Sequence, residues 1–424
     1  MKSSRAAIVL YLLLVLTVNV RLQDDPPLTE TDLAPHTCHF EIVKNKPVGA
    51  CAEFLIEELR KSQYVLLGEY HYSAQISKFT SAIIPVLDDA GFRHLALEVG
   101  PVTAKILSEI SKQPDGTISR LNELNTKYIF QEPKRVVTPI PFFDGVEDAE
   151  FLAKAKEKHW RLIGLDQEFV YNYIPLIDRM YGNLSSSKKK ELKELYAKVK
   201  AQLDEEFVDY ANGGNKVFTY VYESPDIVWF LSSVANKNQQ NQEIAEAFRR
   251  SNEIYRYILN KKYYTNENLR AEYMKERLAA DFAKLGFDVR KDKLLLKIGA
   301  VHSSKGLGTL DVLEIGNTLS ELAAFHGNHS LHLRFGQRYA MKDGREVDTL
   351  NVANARPNPL RTLLQMGKSD QWTIIDVRQL RSAYYVRAFK TEAAIAQIIT
   401  AQDLFVIPPT DSRQTPNYVV KTKK

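Results

Sequence analysis

Four separated pieces of this chain deliver reactive side chains at equivalent structural positions. Two apolar, strand-like segments end in Gly-x-x-His: Tyr64-Val-Leu-Leu-Gly-Glu-Tyr-His71 and Leu294-Leu-Leu-Lys-Ile-Gly-Ala-Val-His302. Two others end in a carboxylate: Leu95-Ala-Leu-Glu98 and Leu162-Ile-Gly-Leu-Asp166. In a parallel α/β sheet the carboxyl ends of the strands are where ligands and catalytic groups gather. The pattern therefore places a site at that end of such a sheet.

The sequence between these segments suits this architecture. After His71, Ser73 is placed to cap a helix on which Ile76, Phe79, Ile83, Ile84 and Leu87 recur at helical spacing. Gly91 ends that helix and Pro85 is positioned to kink it. Strand, helix and strand form a βαβ unit whose crossover suits a parallel pair. Helical spacing covers 107–127 with interruptions and returns at 147–159, with a loop over 139–144. Residues from about 172 to 286 read as helical, far more than one crossover needs, and are expected as an insertion packed over the strand ends. From Ser330 onward strand-like runs return at 331–335, 372–377 and 404–407. The expected division is a targeting segment at 1–22, an N-terminal extension at 23–55, an α/β domain at 56–320 and a C-terminal extension with strands at 321–424. Within the N-terminal extension, residues 23–50 read as a tether and entry loop.

At 424 residues the chain can bury a sizeable core, and a formal charge of +5 without a clustered basic face argues against nucleic acid as a partner. The expected partner is a small-molecule or peptide substrate. Lys2 and Arg5 followed by an apolar run from Ala6 to Val20 match a secretory signal peptide. An uncleaved anchor is the rival, but the run is shorter than the roughly 20 residues a span prefers. The chain is therefore expected to be exported, periplasmic or secreted, with no membrane association beyond that segment. Cys38 and Cys51 are the only cysteines; in an exported chain they form one local disulfide or remain two buried thiols.

Glu69, His71, Glu98 and His302 form the core of the candidate site. Imidazole nitrogen with carboxylate oxygen suits zinc, manganese, cobalt or a similar divalent ion. The same residues suit metal-free catalysis, in which a carboxylate orients a histidine base. Gly68 and Gly299 allow a sharp turn and close approach. Asp166 is either a further ligand or a helix N-cap, and Glu168 reads as pointing outward. Arg270 either stabilises an oxyanion over the site or lies on a charged helix surface. Tyr70 and Tyr72 line a pocket, contact a haem, or pack on the sheet. His326, His329 and His332 are spaced like a metal trio, although Gly327 and Asn328 favour a loop there. No Gly-x-Ser-x-Gly elbow, P-loop or His-Glu-x-x-His is present.

Leu67-Gly-Glu-Tyr-His71, Leu95-Ala-Leu-Glu98 and Gly299-Ala-Val-His302 resemble the signature of the superfamily that groups erythromycin esterases, ChaN haem-binding lipoproteins and Tiki/TraB proteins. Gly164-Leu-Asp166 resembles its middle strand, and Arg270 with Met274 resembles an Arg-x-x-x-Met helix of the esterase branch. The resemblance covers about residues 60–310. It implies an α/β fold with an open, mainly parallel sheet flanked by helices. The esterase branch implies a hydrolase with histidine as base, the Tiki branch a metal-dependent protease, and the ChaN branch haem binding. Glu69 is typical of the esterase and ChaN branches, whereas the doubled Gly-x-x-His is typical of the Tiki branch.

Overall fold

The computed structural model is built around one large sheet. It describes residues 25–132, 135–236, 238–259, 261–352 and 356–420; the expected signal segment lies outside them. Thirteen strands occur among these residues: β1 (Thr37–Val43), β2 (Lys46–Val48), β3 (Tyr64–Glu69), β4 (Phe92–Leu97), β5 (Phe130–Glu132), β6 (Arg135–Val137), β7 (Arg161–Gly164), β8 (Lys293–Gly299), β9 (Ser330–Phe335), β10 (Tyr339–Lys342), β11 (Arg345–Asp348), β12 (Trp372–Asp376) and β13 (Leu404–Ile407). Nine of them make one sheet in the order β2-β1-β12-β13-β9-β3-β8-β4-β7, and β5-β6 and β10-β11 are separate hairpins.

The run from β13 through β9, β3, β8 and β4 to β7 is parallel, while β2, β1 and β12 add antiparallel to its other side. This is the expected mainly parallel α/β sheet. Every residue of β3 is buried, as a strand covered by helices on both faces requires. On one face Val65, Leu67, Leu95 and Leu295 meet Ile76, Phe79 and Ile83 of the helix Ala74–Asp89. On the other, Leu66, Leu294 and Leu296 meet Met274 and Leu278 of the helix Tyr263–Leu285.

Local signals behave as their chemistry demands. Ser73 accepts the Ile76 amide at 3.0 Å and starts the helix that continues through Pro85 to Asp89. Among the described residues the elements of the long insertion are all helices, with Ser186–Ala211, Gln239–Leu259 and Tyr263–Leu285 the longest. Among the described residues no helix is long and apolar enough to cross a membrane.

The N-terminal stretch corrects the tether reading. Residues 37–48 form β1 and β2, because Cys38 and Phe40 alternate inward and Phe40 stacks on Trp372 of β12 at 5.9 Å. Cys38 and Cys51 are joined by a disulfide that ties β1 to the helix Ala50–Lys61. His39 sits in β1 beside Thr373 rather than in a loop.

Candidate active site

The carboxyl ends of β3, β4 and β8 adjoin in the sheet, and the segments that leave them meet at Glu98. Register pairs Glu69 with Gly299 across β3 and β8, so the two Gly-x-x-His turns start side by side. The His71 Nδ1 lies 3.1 Å from Glu69 Oε1, and its Nε2 lies 3.8 Å from Glu98 Oε2. The His302 Nδ1 lies 2.9 Å from Glu314 Oε2, and its Nε2 lies 3.6 Å from Glu98 Oε1. Each imidazole is thus backed by its own carboxylate, and both face a third. Carboxylate pairing at Nδ1 fixes the ring orientation and leaves Nε2 as the working nitrogen.

Glu98 is held by more than the histidines. It accepts the Gly299 amide at 2.6 Å and an Arg270 N–H at 2.8 Å. Arg270 also grips Asp166 through Nε at 2.9 Å and Nη2 at 2.5 Å. Arg270 therefore reaches the site from the helical insertion and is no surface residue. Asp166 is the partner of Arg270, and among the described residues it caps no helix: its Oδ1 takes the neighbouring Gln167 amide and the guanidinium. Burial pushes the Glu98 carboxyl up, but His302, Arg270, His71 and the Gly299 amide together hold it well below the usual carboxylate range. Burial and Arg270 press the His302 ring down, yet Glu314 and Glu98 leave it above its ordinary value.

Four contributors escaped the sequence reading. Lys297, inside β8, is buried and donates to Glu69. A lysine inside the buried apolar stretch of the strand was the available signal, because such a charge persists in a core only when paired. Burial pushes the Glu69 carboxyl up, and Lys297 and His71 bring it below its ordinary value. Glu314 precedes the helix Ile315–Phe325 and looks unremarkable in sequence. Phe142 stacks flat on His71 at 3.8 Å from a left-handed backbone with φ of 62°. Asp148 lies fully buried behind Glu69 and Lys297, accepting from Ser77 at 2.7 Å.

The glycines serve by being small. Neither Gly68 nor Gly299 has positive φ, so neither makes the expected sharp turn. A Cβ at Gly299 would sit 3.1 Å from His71 Nε2 and 3.2 Å from Glu98 Oε2, and one at Gly68 would collide with Ser303 Oγ.

Other expectations resolve differently. Glu168 is buried, not outward, and caps the helix Pro101–Ile110 by accepting the Val102 amide at 2.7 Å. Tyr70 is occupied: its hydroxyl donates to Asp411 at 2.7 Å. Tyr72 is 39% exposed and lies 6.0 Å from the Phe142 ring. His332 is buried in β9 with Nδ1 at 2.6 Å from the Ser303 carbonyl, and burial pushes its ring down to about 4, so it forms no trio with His326 and His329.

The donor set of His71, Glu69, Glu98, His302 and Asp166 does not fit a divalent ion as arranged. Arg270 occupies the space between Glu98 and Asp166, Lys297 occupies Glu69, and among the described residues no group of three or more donors converges on a point.

The architecture is that of an α/β protein with its polar centre at the ends of the parallel strands. No family model and no curated protein matches the sequence. Among solved structures, a histidine-to-asparagine mutant of the erythromycin esterase EreC in its open conformation shares the fold, with a TM-score of 0.53 and 15% identity over 89% of this chain and 98% of that one. A Bacillus cereus protein matches with a TM-score of 0.53 and 15% identity over 92% of this chain and 100% of that one. A succinoglycan biosynthesis protein matches with a TM-score of 0.52 and 13% identity over 90% of this chain and 96% of that one. The fold expected from the resemblance is therefore present.

Proposed function

We propose that this protein is an exported hydrolase that cleaves an ester or amide with His71 as general base. The observation that carries the reading is the convergence of two carboxylate-backed imidazoles on Glu98 beside an arginine. His71 is the more open of the two rings, 29% exposed against 6% for His302. At 3.8 Å its Nε2 makes no direct hydrogen bond to Glu98, so its lone pair is free to accept a proton from water. The resulting hydroxide adds to the acyl carbon. The proton held on Nε2 then passes to the departing alkoxide or amine as the acyl–heteroatom bond breaks.

The charged groups divide the remaining work. Glu69 holds the tautomer of His71 and stabilises the imidazolium that forms. Arg270 supplies positive charge where an oxyanion develops, with the His302 ring beside it, a role worth about 3 kcal/mol when one such donor is removed. The mouth carries Tyr72 and Phe142, which suits a substrate with an apolar body. The test is turnover of a panel of esters, lactones and amides by the mature chain and by His71→Ala and His302→Ala. Loss in both variants with retained fold supports the reading, and undiminished hydrolysis in both sinks it.

A second reading, binding of haem or a similar planar ligand, rests on the flat His71–Phe142 stack beside exposed Tyr72. It expects a Soret band on haem titration that His71→Ala weakens. An unchanged haem spectrum removes it.

A further inference from the structure

The end of the described chain runs between the two loops that hold His71. The loop 70–73 carries the imidazole, and the loop 142–147 carries the Phe142 ring stacked on it. Residues 411–417 bond to both. Asp411 accepts the Tyr70 hydroxyl at 2.7 Å and the Gln75 amide at 3.0 Å. The Ser412 carbonyl accepts the Ala74 amide at 3.0 Å, and the Gln414 amide donates to the Tyr72 carbonyl at 3.1 Å. Arg413 lies over the Tyr72 ring at 4.7 Å and donates to Asp144 at 3.1 Å. On the other side, the Thr415 carbonyl accepts the Val146 amide at 2.8 Å, and the Asn417 amide donates to the Asp144 carbonyl at 2.7 Å.

Tyr72 shows why such bonding is needed. It has a φ of 68°, a left-handed conformation that a bulky residue keeps only when its surroundings impose it. The surroundings here are the Gln414 amide on its carbonyl and the Arg413 guanidinium on its ring. Gln414 also reaches inward, donating to Asp148 at 2.7 Å and to Ser77 at 3.0 Å. One segment thus fixes the turn beside the imidazole, the loop bearing the ring stacked upon it, and the buried acid beneath it.

We infer that residues 411–417 are a positioning strap for His71, with Arg413 and Gln414 as its working side chains. They act on His71 through Tyr72 and Asp148 and do not touch the reacting atoms. The inference builds on the proposed role of His71, but its test does not need turnover. Arg413 is mostly exposed, so Arg413→Ala threatens no core, and Gln414→Ala is the inward companion.

The readout is nuclear magnetic resonance of the His71 ring, selectively labelled, in the full chain. In the native protein the Nδ1 proton facing Glu69 should exchange slowly with solvent. Loss of one strap contact should speed that exchange about tenfold, the scale of a single lost hydrogen bond. The His302 signal should stay fixed and melting should remain cooperative. Arg413→Lys, which keeps a cation over Tyr72, should restore most of the protection. Unchanged His71 exchange in both alanine variants overturns the inference. Global unfolding of both also overturns it, because the segment would then be a general staple. If the native chain hydrolyses no ester or amide while His71 still responds, the hydrolase reading falls and the strap stands.

Discussion

Lys297 donates to Glu69 inside the core, and neither side chain is more than 4% exposed. A buried pair of this kind adds little net stability, but breaking it leaves one uncompensated charge. Lys297→Met should destabilise the fold by about 3 kcal/mol in urea denaturation. Adding Glu69→Gln to that variant should recover part of the loss, because the stranded carboxylate disappears. A double variant no more stable than Lys297→Met would show that the lysine matters through packing alone.

The two histidines should fail differently. His71→Ala leaves Glu69 paired with Lys297, so stability should change by less than about 1 kcal/mol while turnover drops at least about 100-fold. His302→Ala strips the fully buried Glu314 of its ring partner and should cost about 2 kcal/mol as well as activity. Calorimetry on both variants separates the cases, and equal stability losses would contradict the described burial.

Asp148 should tilt stability against alkaline pH. Burial pushes its carboxyl up to about 8 from an ordinary 3.8, with only partial relief from Lys297 and Ser77. The folded chain therefore keeps a proton that the unfolded chain releases. Its stabilising contribution is fully present below about pH 3.8 and is lost as pH rises through 8. Asp148→Asn should remove this slope, so its urea midpoint should gain on the native one between pH 5 and pH 9. Parallel profiles would place the proton elsewhere.

The Cys38–Cys51 bridge closes a short loop across a sequence separation of 13 between an edge-side strand and its covering helix. Replacing both cysteines with serine should cost about 3 kcal/mol by chemical denaturation. Turnover per folded molecule should not change, since β1 lies on the far side of the sheet order from β8 and β4.

Much of the centre was readable because strand ends announce themselves. An apolar run that stops at Gly-x-x-His or at a carboxylate locates His71, His302, Glu98 and Asp166 without any contact information. Arg270 was readable only as one of two alternatives, since helical spacing does not say what a helix lies upon. Glu314 and Phe142 were hidden because their sequence neighbourhoods are those of an ordinary helix start and an ordinary loop. The strands at 37–48 were missed because Pro, Lys and Asn around them resemble a linker, and their pairing with β12 spans more than three hundred positions. No local pattern encodes a partner that far away.

That distant pairing bears on how the molecule is made. The strand order sets β12 and β13 between β1 and β9, so β1 and β2 pair only with each other and stay apart from the parallel strands until the chain beyond residue 372 has emerged. Such long-range closure is slow and exposes apolar edges while it waits. Catalytic competence should accordingly wait for the segment 411–417, with products that stop short of it carrying every histidine of the centre but lacking the contacts that hold the His71 loop.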